Sequence, residues 1–213
     1  MGITIKNVNV NQIVFGNGTD EILDLIVRVF CNPNKDKIIT LPPTYGMYDV
    51  IAKTNGVENI EIPLKSDFSI DKNEILKLSS KKTKILFLCS PKNPTGNSFD
   101  TNNLTDLIKS FKGIVVVDEA YIDFSSNKSL ISLIEDNNNL IITKTMSKAY
   151  GMDGIRLGMG FSNEKIINYL NKIKPPYNIN VLTERKALEE LYKIDEIEKN
   201  ISIVLDQRNL LVS

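Results

Sequence analysis

The chain has 213 residues, with 26 basic and 26 acidic side chains, two cysteines and no histidine. The balanced charge points away from a nucleic-acid or anionic-membrane partner, and no apolar run approaches the ~20 residues of a spanning helix. Without histidine, Ser/His and Cys/His nucleophile systems and nearly all zinc sites are excluded, so a general acid or base must be Lys, Asp, Glu, Tyr or a cofactor.

No signal peptide begins at Met1-Gly2-Ile3-Thr4. Ile13-Val14-Phe15 reads as a short strand, and Gly16-Asn17-Gly18 as a tight turn. Thr19 is expected as a helix cap, with Asp20 and Glu21 as first-turn acids before the helical repeat Ile22, Leu25, Ile26, Val29. A Gly-rich loop feeding a helix N-terminus is a ready anion site, though a plain capped helix explains the same pattern. Cys31 and Cys89 stand far apart beside apolar residues, as two buried thiols of a cytosolic protein rather than a disulfide.

Lys37 to Leu41 is strand-like and Pro42-Pro43 stops it; Thr44 is expected to cap a short helix with Tyr45 in its first turn. Tyr45 is either ordinary aromatic packing or a ring stacked on a flat cofactor. Glu58 to Leu64 is a further strand candidate, and Asp71 caps an amphipathic helix to Leu78. Lys84 to Cys89 is a continuous apolar run of the kind covered on both faces in a parallel sheet. It empties into Ser90-Pro91-Lys92-Asn93-Pro94-Thr95-Gly96, where the prolines and glycine fix the backbone and present Asn93 rigidly.

After a helix over Leu104 to Phe111, the strand Gly113 to Val117 delivers Asp118, with Tyr121 close behind. An aspartate at the end of an apolar strand needs a partner: a helix N-terminus, a core arginine, or a ring nitrogen whose positive charge it sustains. Leu140 to Thr143 is the next strand and runs into Thr145, Ser147 and Lys148; Gly151 and Gly154 follow, and Arg156 opens the strand-like Leu157 to Phe161. Asn163 caps a helix to Lys172, Val181 to Tyr192 makes another, and Ile194 to Val212 is a long helix with Ile197, Ile201, Val204 and Leu205 on one face. That face has no closing element after it, so exposed apolar surface and self-association are expected.

The alternation of strand and helix patterns gives an α/β class with a mainly parallel central sheet and helices on both faces. Successive strand ends then supply an anion-binding helix start, a fixed Asn, a buried Asp with a Tyr, and Ser-Lys followed by Arg. Together they suit a phosphorylated aldehyde bearing a ring nitrogen: an amine for the aldehyde, hydroxyls and a guanidinium for the phosphate, a carboxylate for the nitrogen. A Rossmann-type nucleotide site is a weaker alternative, since Gly16 and Gly18 lack the third glycine.

The segments GNGTDEILDLIVRVFCNP, PPTYGMYDV, FLCSPKNPTGN, VVVDEAYIDF, KTMSKAYGMDGIRLGMG and KPPYNINVL carry a resemblance over nearly the whole chain. It resembles the fold-type I pyridoxal-phosphate-dependent transferases, most closely the histidinol-phosphate aminotransferases. The resemblance implies pyridoxal 5'-phosphate as cofactor and amino transfer from histidinol phosphate to a 2-oxo acid, 2-oxoglutarate, in histidine biosynthesis. It implies a cytoplasmic homodimer without metal, nucleic-acid or membrane partner. It implies that Lys148 carries the cofactor aldehyde and moves a proton, that Asp118 faces the pyridine nitrogen, and that Asn93 and Tyr121 bond the ring's 3-oxygen. Tyr45 would stack on the ring, with Thr19, Asp20, Thr145, Ser147 and Arg156 around the phosphate. Lys148, desolvated and near Arg156, would have a lowered proton affinity.

The resemblance also divides the chain into a large cofactor-binding domain over 1–190, incomplete at its N-terminus, and the start of a long helix over 191–213. The small domain, with its carboxylate-binding arginine, would lie beyond Ser213. Two other readings stand beside this one: a threonine-phosphate decarboxylase-like enzyme on the same scaffold, and a non-catalytic remnant of the fold.

Overall fold

Apolar runs covered on both faces belong inside a parallel sheet, and a seven-stranded sheet lies at the centre of the computed structural model, which describes residues 8–212. The opening segment Met1-Gly2-Ile3-Thr4 lies outside the described residues. The strands are β1 (Ile13–Asn17), β2 (Lys37–Thr40), β3 (Glu58–Glu61), β4 (Thr83–Cys89), β5 (Ile114–Asp118), β6 (Leu140–Thr145) and β7 (Leu157–Phe161). Their order across the sheet is β1-β7-β6-β5-β4-β2-β3. β2, β3, β4, β5 and β6 pair in parallel, while β7 runs antiparallel to both β6 and β1.

The helices are α1 (Gly18–Phe30), α2 (Met47–Thr54), α3 (Lys72–Leu78), α4 (Thr101–Ser110), α5 (Glu164–Ile173), α6 (Val181–Leu191) and α7 (Ile194–Val212). Successive strand side chains point to opposite faces, so each inner strand feeds two cores. Ile38, Ile85, Phe87, Val116 and Ile141 pack with Ile22 and Ile26 of α1, Tyr48 of α2 and Ile166 of α5. Ile39, Leu86, Leu88, Val115, Val117 and Ile142 pack with Ile75 of α3, Leu104 and Leu107 of α4, and Ile197 of α7. Among the described residues no helix is long and apolar enough to cross a membrane. Cys31 and Cys89 are both buried and unpaired.

Several boundaries differ from expectation for local reasons. Gly16 and Asn17 extend β1 rather than forming a turn, and α1 begins at Gly18, so Thr19 is not its cap. Asn17 stands at that cap but its side chain accepts no first-turn N–H, donating instead to the Asn178 carbonyl, while the Glu21 carboxylate accepts the Asn17 N–H at 2.6 Å. Thr44 does not cap α2, which starts after Gly46; Tyr45 therefore precedes the helix. The Thr44 hydroxyl oxygen is buried without a partner among the described residues. β3 ends at Glu61, short of Leu64. Asp71, Asp100 and Asn163 cap α3, α4 and α5, each accepting a first-turn N–H. On α7, Ile197 is buried and Ile201 half-buried, whereas Ile203, Val204 and Leu211 are exposed.

Candidate active site

The carboxyl ends of β1, β2, β4, β5 and β6 meet at one edge of the sheet, and β7, running the other way, begins there. Crevices at such ends are where open α/β sheets bind ligands. The cavity at this edge holds about 530 Å³ of non-protein space and is open to solvent at its mouth. Thr19, Asp20, Tyr45, Asn93, Asp118, Tyr121, Thr145, Ser147, Lys148 and Arg156 all line it. The structure thus brings together every residue singled out in the sequence, together with Cys89 and Ala120.

Two glycines make the closest approach in this wall. A Cβ on Gly158 of β7 would stand 2.3 Å from the Gly18 carbonyl carbon and 2.4 Å from the Thr19 nitrogen. Only glycine lets β7 run directly beneath the start of α1. Gly18 itself has φ +71°, and a Cβ there would fall 2.7 Å from Arg156 Nη2. The Gly18 N–H donates to the Arg156 carbonyl at 2.8 Å, which ties the guanidinium-bearing turn to the helix start. The first-turn amides of α1, including those of Thr19 and Asp20, lack intrahelical acceptors and face an electropositive end.

At the end of β6, the Thr145 hydroxyl donates to Ser147 Oγ at 3.0 Å and accepts the Ser147 N–H at 3.1 Å. This local turn turns both hydroxyls and then Lys148 into the cavity. Lys148 Nζ lies 5.6 Å from the centre of the Tyr121 ring. The ion pair Lys144–Asp123, 3.1 Å long with side chains 8% and 9% exposed, bolts the turn after Tyr121 to β6. Lys148 is exposed rather than desolvated.

Asp118 forms the floor and is 3% exposed. Its carboxylate accepts the Tyr48 hydroxyl at 2.8 Å, the Thr143 hydroxyl at 3.1 Å and the Ala120 N–H at 3.3 Å. Burial raises its proton affinity above the usual carboxylate range, and these three donors oppose that rise. The partner is therefore a pair of hydroxyls, neither a helix cap nor a core arginine. The Tyr45 hydroxyl donates to Asp20 Oδ1 at 3.1 Å, so the Asp20 side chain orients Tyr45. Burial, with Asp20 beside it, pushes the Tyr45 phenol up to about 12.

Asn93 is half-buried in a loop closed by Lys92 N–H to Asn97 O and Gly96 N–H to Lys92 O, both 2.8 Å, with cis bonds at Ser90-Pro91 and Asn93-Pro94. Lys92 is 3% exposed, and its ammonium donates to the Leu41 carbonyl, tying this loop to the segment that carries Tyr45.

Tyr48, Thr143 and Lys92 were not anticipated as parts of the site. Thr143 shares a strand face with Thr145, two residues on, and could have been found from that spacing. Tyr48 follows Tyr45 by three residues, which signals a shared helix side only if Tyr45 is helical. Lys92 gives no signal, since a lysine between prolines reads as solvated.

The donors at the α1–Arg156 end suit a phosphate, the Asp118 carboxylate suits a protonated ring nitrogen, and Lys148 supplies an amine between them. The cradle beside Arg156, which a Cβ on Gly18 would fill, and the otherwise costly carboxylate at the floor fit pyridoxal phosphate. Among the described residues no cluster of acidic or cysteine side chains is placed to hold a metal.

Residues 2–213 match the aminotransferase class I and II family model. The histidinol-phosphate aminotransferase of Flavobacterium johnsoniae is 53% identical over 97% of this chain and 59% of its own length. The chain thus spans about three-fifths of such relatives. The crystal structure of the histidinol-phosphate aminotransferase from Clostridium acetobutylicum superposes with a TM-score of 0.85 at 28% identity, over 94% of this chain and 60% of that one. The Sinorhizobium meliloti histidinol-phosphate aminotransferase, solved in complex with pyridoxal-5'-phosphate, shares the fold: TM-score 0.83, 23% identity, 91% of this chain and 53% of that one. With the strand order, the lined cavity and these likenesses in agreement, the chain belongs to the aminotransferase class I and II family.

Proposed function

We propose that this chain is the cofactor-binding core of a pyridoxal-phosphate-dependent aminotransferase that takes its amino group from histidinol phosphate and passes it to 2-oxoglutarate. The observation that carries the reading is the shared cavity, with a buried carboxylate at its floor, an amine at its mouth and an anion cradle at one end. When bound, pyridoxal phosphate supplies an electrophilic aldehyde and a cationic ring that accepts the electron pair released at the substrate's Cα. Lys148 is the amine that would hold the aldehyde carbon and, once displaced by the substrate's amine, the base that would carry the proton from the substrate's Cα to that same cofactor carbon, C4′. Asp118 supplies the negative charge that keeps a facing ring nitrogen protonated. Asn93 and Tyr121 hydrogen-bond the ring's 3-oxygen, and Tyr45 offers a face for the ring. The α1 amides of Thr19 and Asp20, with Thr145, Ser147 and Arg156, hold the phosphate.

The same reading assigns 1–190 to the large domain and 191–213 to the start of a helix leading into a small domain. Exposed apolar side chains on α6 and α7 support a homodimer, and the two unpaired cysteines support a reducing, cytoplasmic setting. Pyridoxal phosphate followed by borohydride should leave a stable pyridoxyl group on Lys148, and Lys148→Ala should abolish it. A label on another lysine, or none, overturns the site. In the full-length protein, amino transfer from histidinol phosphate supports the substrate reading. Carbon dioxide release from threonine phosphate would move the reaction to the decarboxylase class.

A further inference from the structure

We propose that Tyr48, which does not line the cavity, is a positioning residue that holds the Asp118 carboxylate aimed and anionic beneath the cofactor ring. The proposal rests on the reading of Asp118 as the partner of a ring nitrogen. Tyr48 is wholly buried, its ring stacked on Phe87 at 4.8 Å and 6°, and edge-on to Tyr45 at 5.5 Å and 84°. A phenol has only two side-chain torsions, and this packing fixes both, so the hydroxyl is committed to Asp118 Oδ2 at 2.8 Å. One rigid ring therefore braces the carboxylate at the cavity floor and the aromatic wall at its side.

The groups that face Asp118 make this bond decisive for its charge. Cys89 reaches it from β4, Tyr48 from α2, Thr143 from β6 and Asp20 from α1, while Tyr121, Lys148 and Arg156 line the same cavity. Cys89 is pushed up to about 11 and Tyr48 further above the usual phenol range, so both stay neutral near neutral pH. Burial, and after it the charge of Asp20, favour a protonated Asp118. The two hydroxyls and the Ala120 N–H oppose them, and Tyr48 makes the shortest of these bonds.

Tyr48→Phe keeps the stacking and deletes only the donor. In the cofactor-free chain, the infrared carbonyl stretch of protonated Asp118, assigned by its loss in Asp118→Asn, should titrate roughly one pH unit higher in Tyr48→Phe. The probe 4'-deoxypyridoxine 5'-phosphate lacks the aldehyde and so reads the ring and phosphate contacts without Lys148 chemistry. Its affinity should fall on acidification from a correspondingly higher pH, with about a ten-fold loss on the acid side of that midpoint. A merely structural role would lower affinity equally at every pH and leave the infrared midpoint in place, which overturns the proposal. Thr143→Val, which removes the other hydroxyl, should move the midpoint in the same direction. If Tyr48→Phe does not fold, ring-13C tyrosine in the unsubstituted chain decides the matter: a phenol C–O band should shift with the Asp118 titration and lose that shift in Asp118→Asn, and the absence of such a band overturns the proposal. Failure of the unsubstituted chain to bind the probe overturns the cofactor reading, while the infrared titration still decides whether Tyr48 sets the charge of Asp118.

Discussion

Gly158→Ala tests the packing that brings the phosphate end of the cavity together. The added Cβ would lie 2.3 Å from the Gly18 carbonyl carbon, 2.4 Å from the Thr19 nitrogen and 2.5 Å from the Gly18 oxygen. All three are backbone atoms, so no side chain can swing aside. Ordinary carbon contacts lie at about 3.5 Å, so the start of α1 must retreat by roughly 1 Å. That movement takes the bond from Gly18 N–H to Arg156 O, now 2.8 Å, out of range. Overpacking costs about 1–3 kcal/mol and the lost hydrogen bond about 1 kcal/mol, giving roughly 2–4 kcal/mol in all. Urea unfolding should show this as a lower midpoint at unchanged slope, with a folded variant still present in water. Affinity for 4'-deoxypyridoxine 5'-phosphate should fall as well, because Arg156 and the helix start move apart. Gly154→Ala is the control, since a Cβ there meets nothing within 4 Å. If Gly158→Ala unfolds within about 0.5 kcal/mol of the parent, with unchanged affinity for the probe, the close-approach argument is wrong.

Asp123→Ala leaves Lys144 buried without its counter-charge and should destabilise the chain by about 3–5 kcal/mol in denaturant unfolding; a loss below 1 kcal/mol would show that water reaches the ammonium. Burial raises the Glu119 carboxyl from 4.5 to about 7, so the stability it confers is full below its unfolded value and declines as pH rises through 7. Glu119→Gln should lack that decline, and its stability relative to the parent should rise by up to roughly 3 kcal/mol between pH 4.5 and pH 8. A difference between the two chains that does not change with pH would refute this. The exposed Val204 and Leu211 of α7 should drive concentration-dependent association in sedimentation velocity, reduced by Val204→Lys with Leu211→Lys; a monomeric parent at high concentration would count against it.

The parallel sheet was legible because its inner strands carry continuous apolar runs, as in ILFL of β4 and VVV of β5, a pattern that needs cover on both faces. Asp118 was legible because it follows such a run directly, and Asn93 and Lys148 because they lie in turns just beyond a strand, with Arg156 just before one. Helix starts were less so. Thr19 and Thr44 both have capping chemistry, yet Gly18 at positive φ starts α1 two residues earlier than a Thr19 cap would, and α2 starts only after Gly46. The partner of Asp118 was illegible for a different reason. Tyr48 meets it across 70 residues of chain, and no local pattern reports which buried phenol a carboxylate will find. The buried Lys92 is similar, since its acceptor at Leu41 lies 51 residues away.

The site divides physically between a rigid floor and an open mouth. Asp118 is sealed under α2 and held by three donors, while Lys148 and Arg156 are exposed. On the proposed reading, a ring and phosphate would draw their contacts from groups already placed around the cavity. On the same reading, proton transfer by Lys148 would gain from cover at the cavity mouth, because an exposed side chain shares its site with water. Cofactor capture and catalytic turnover are thus expected to separate in this chain. Whatever shields Lys148 from water should raise the rate far more than it tightens binding of the phosphate.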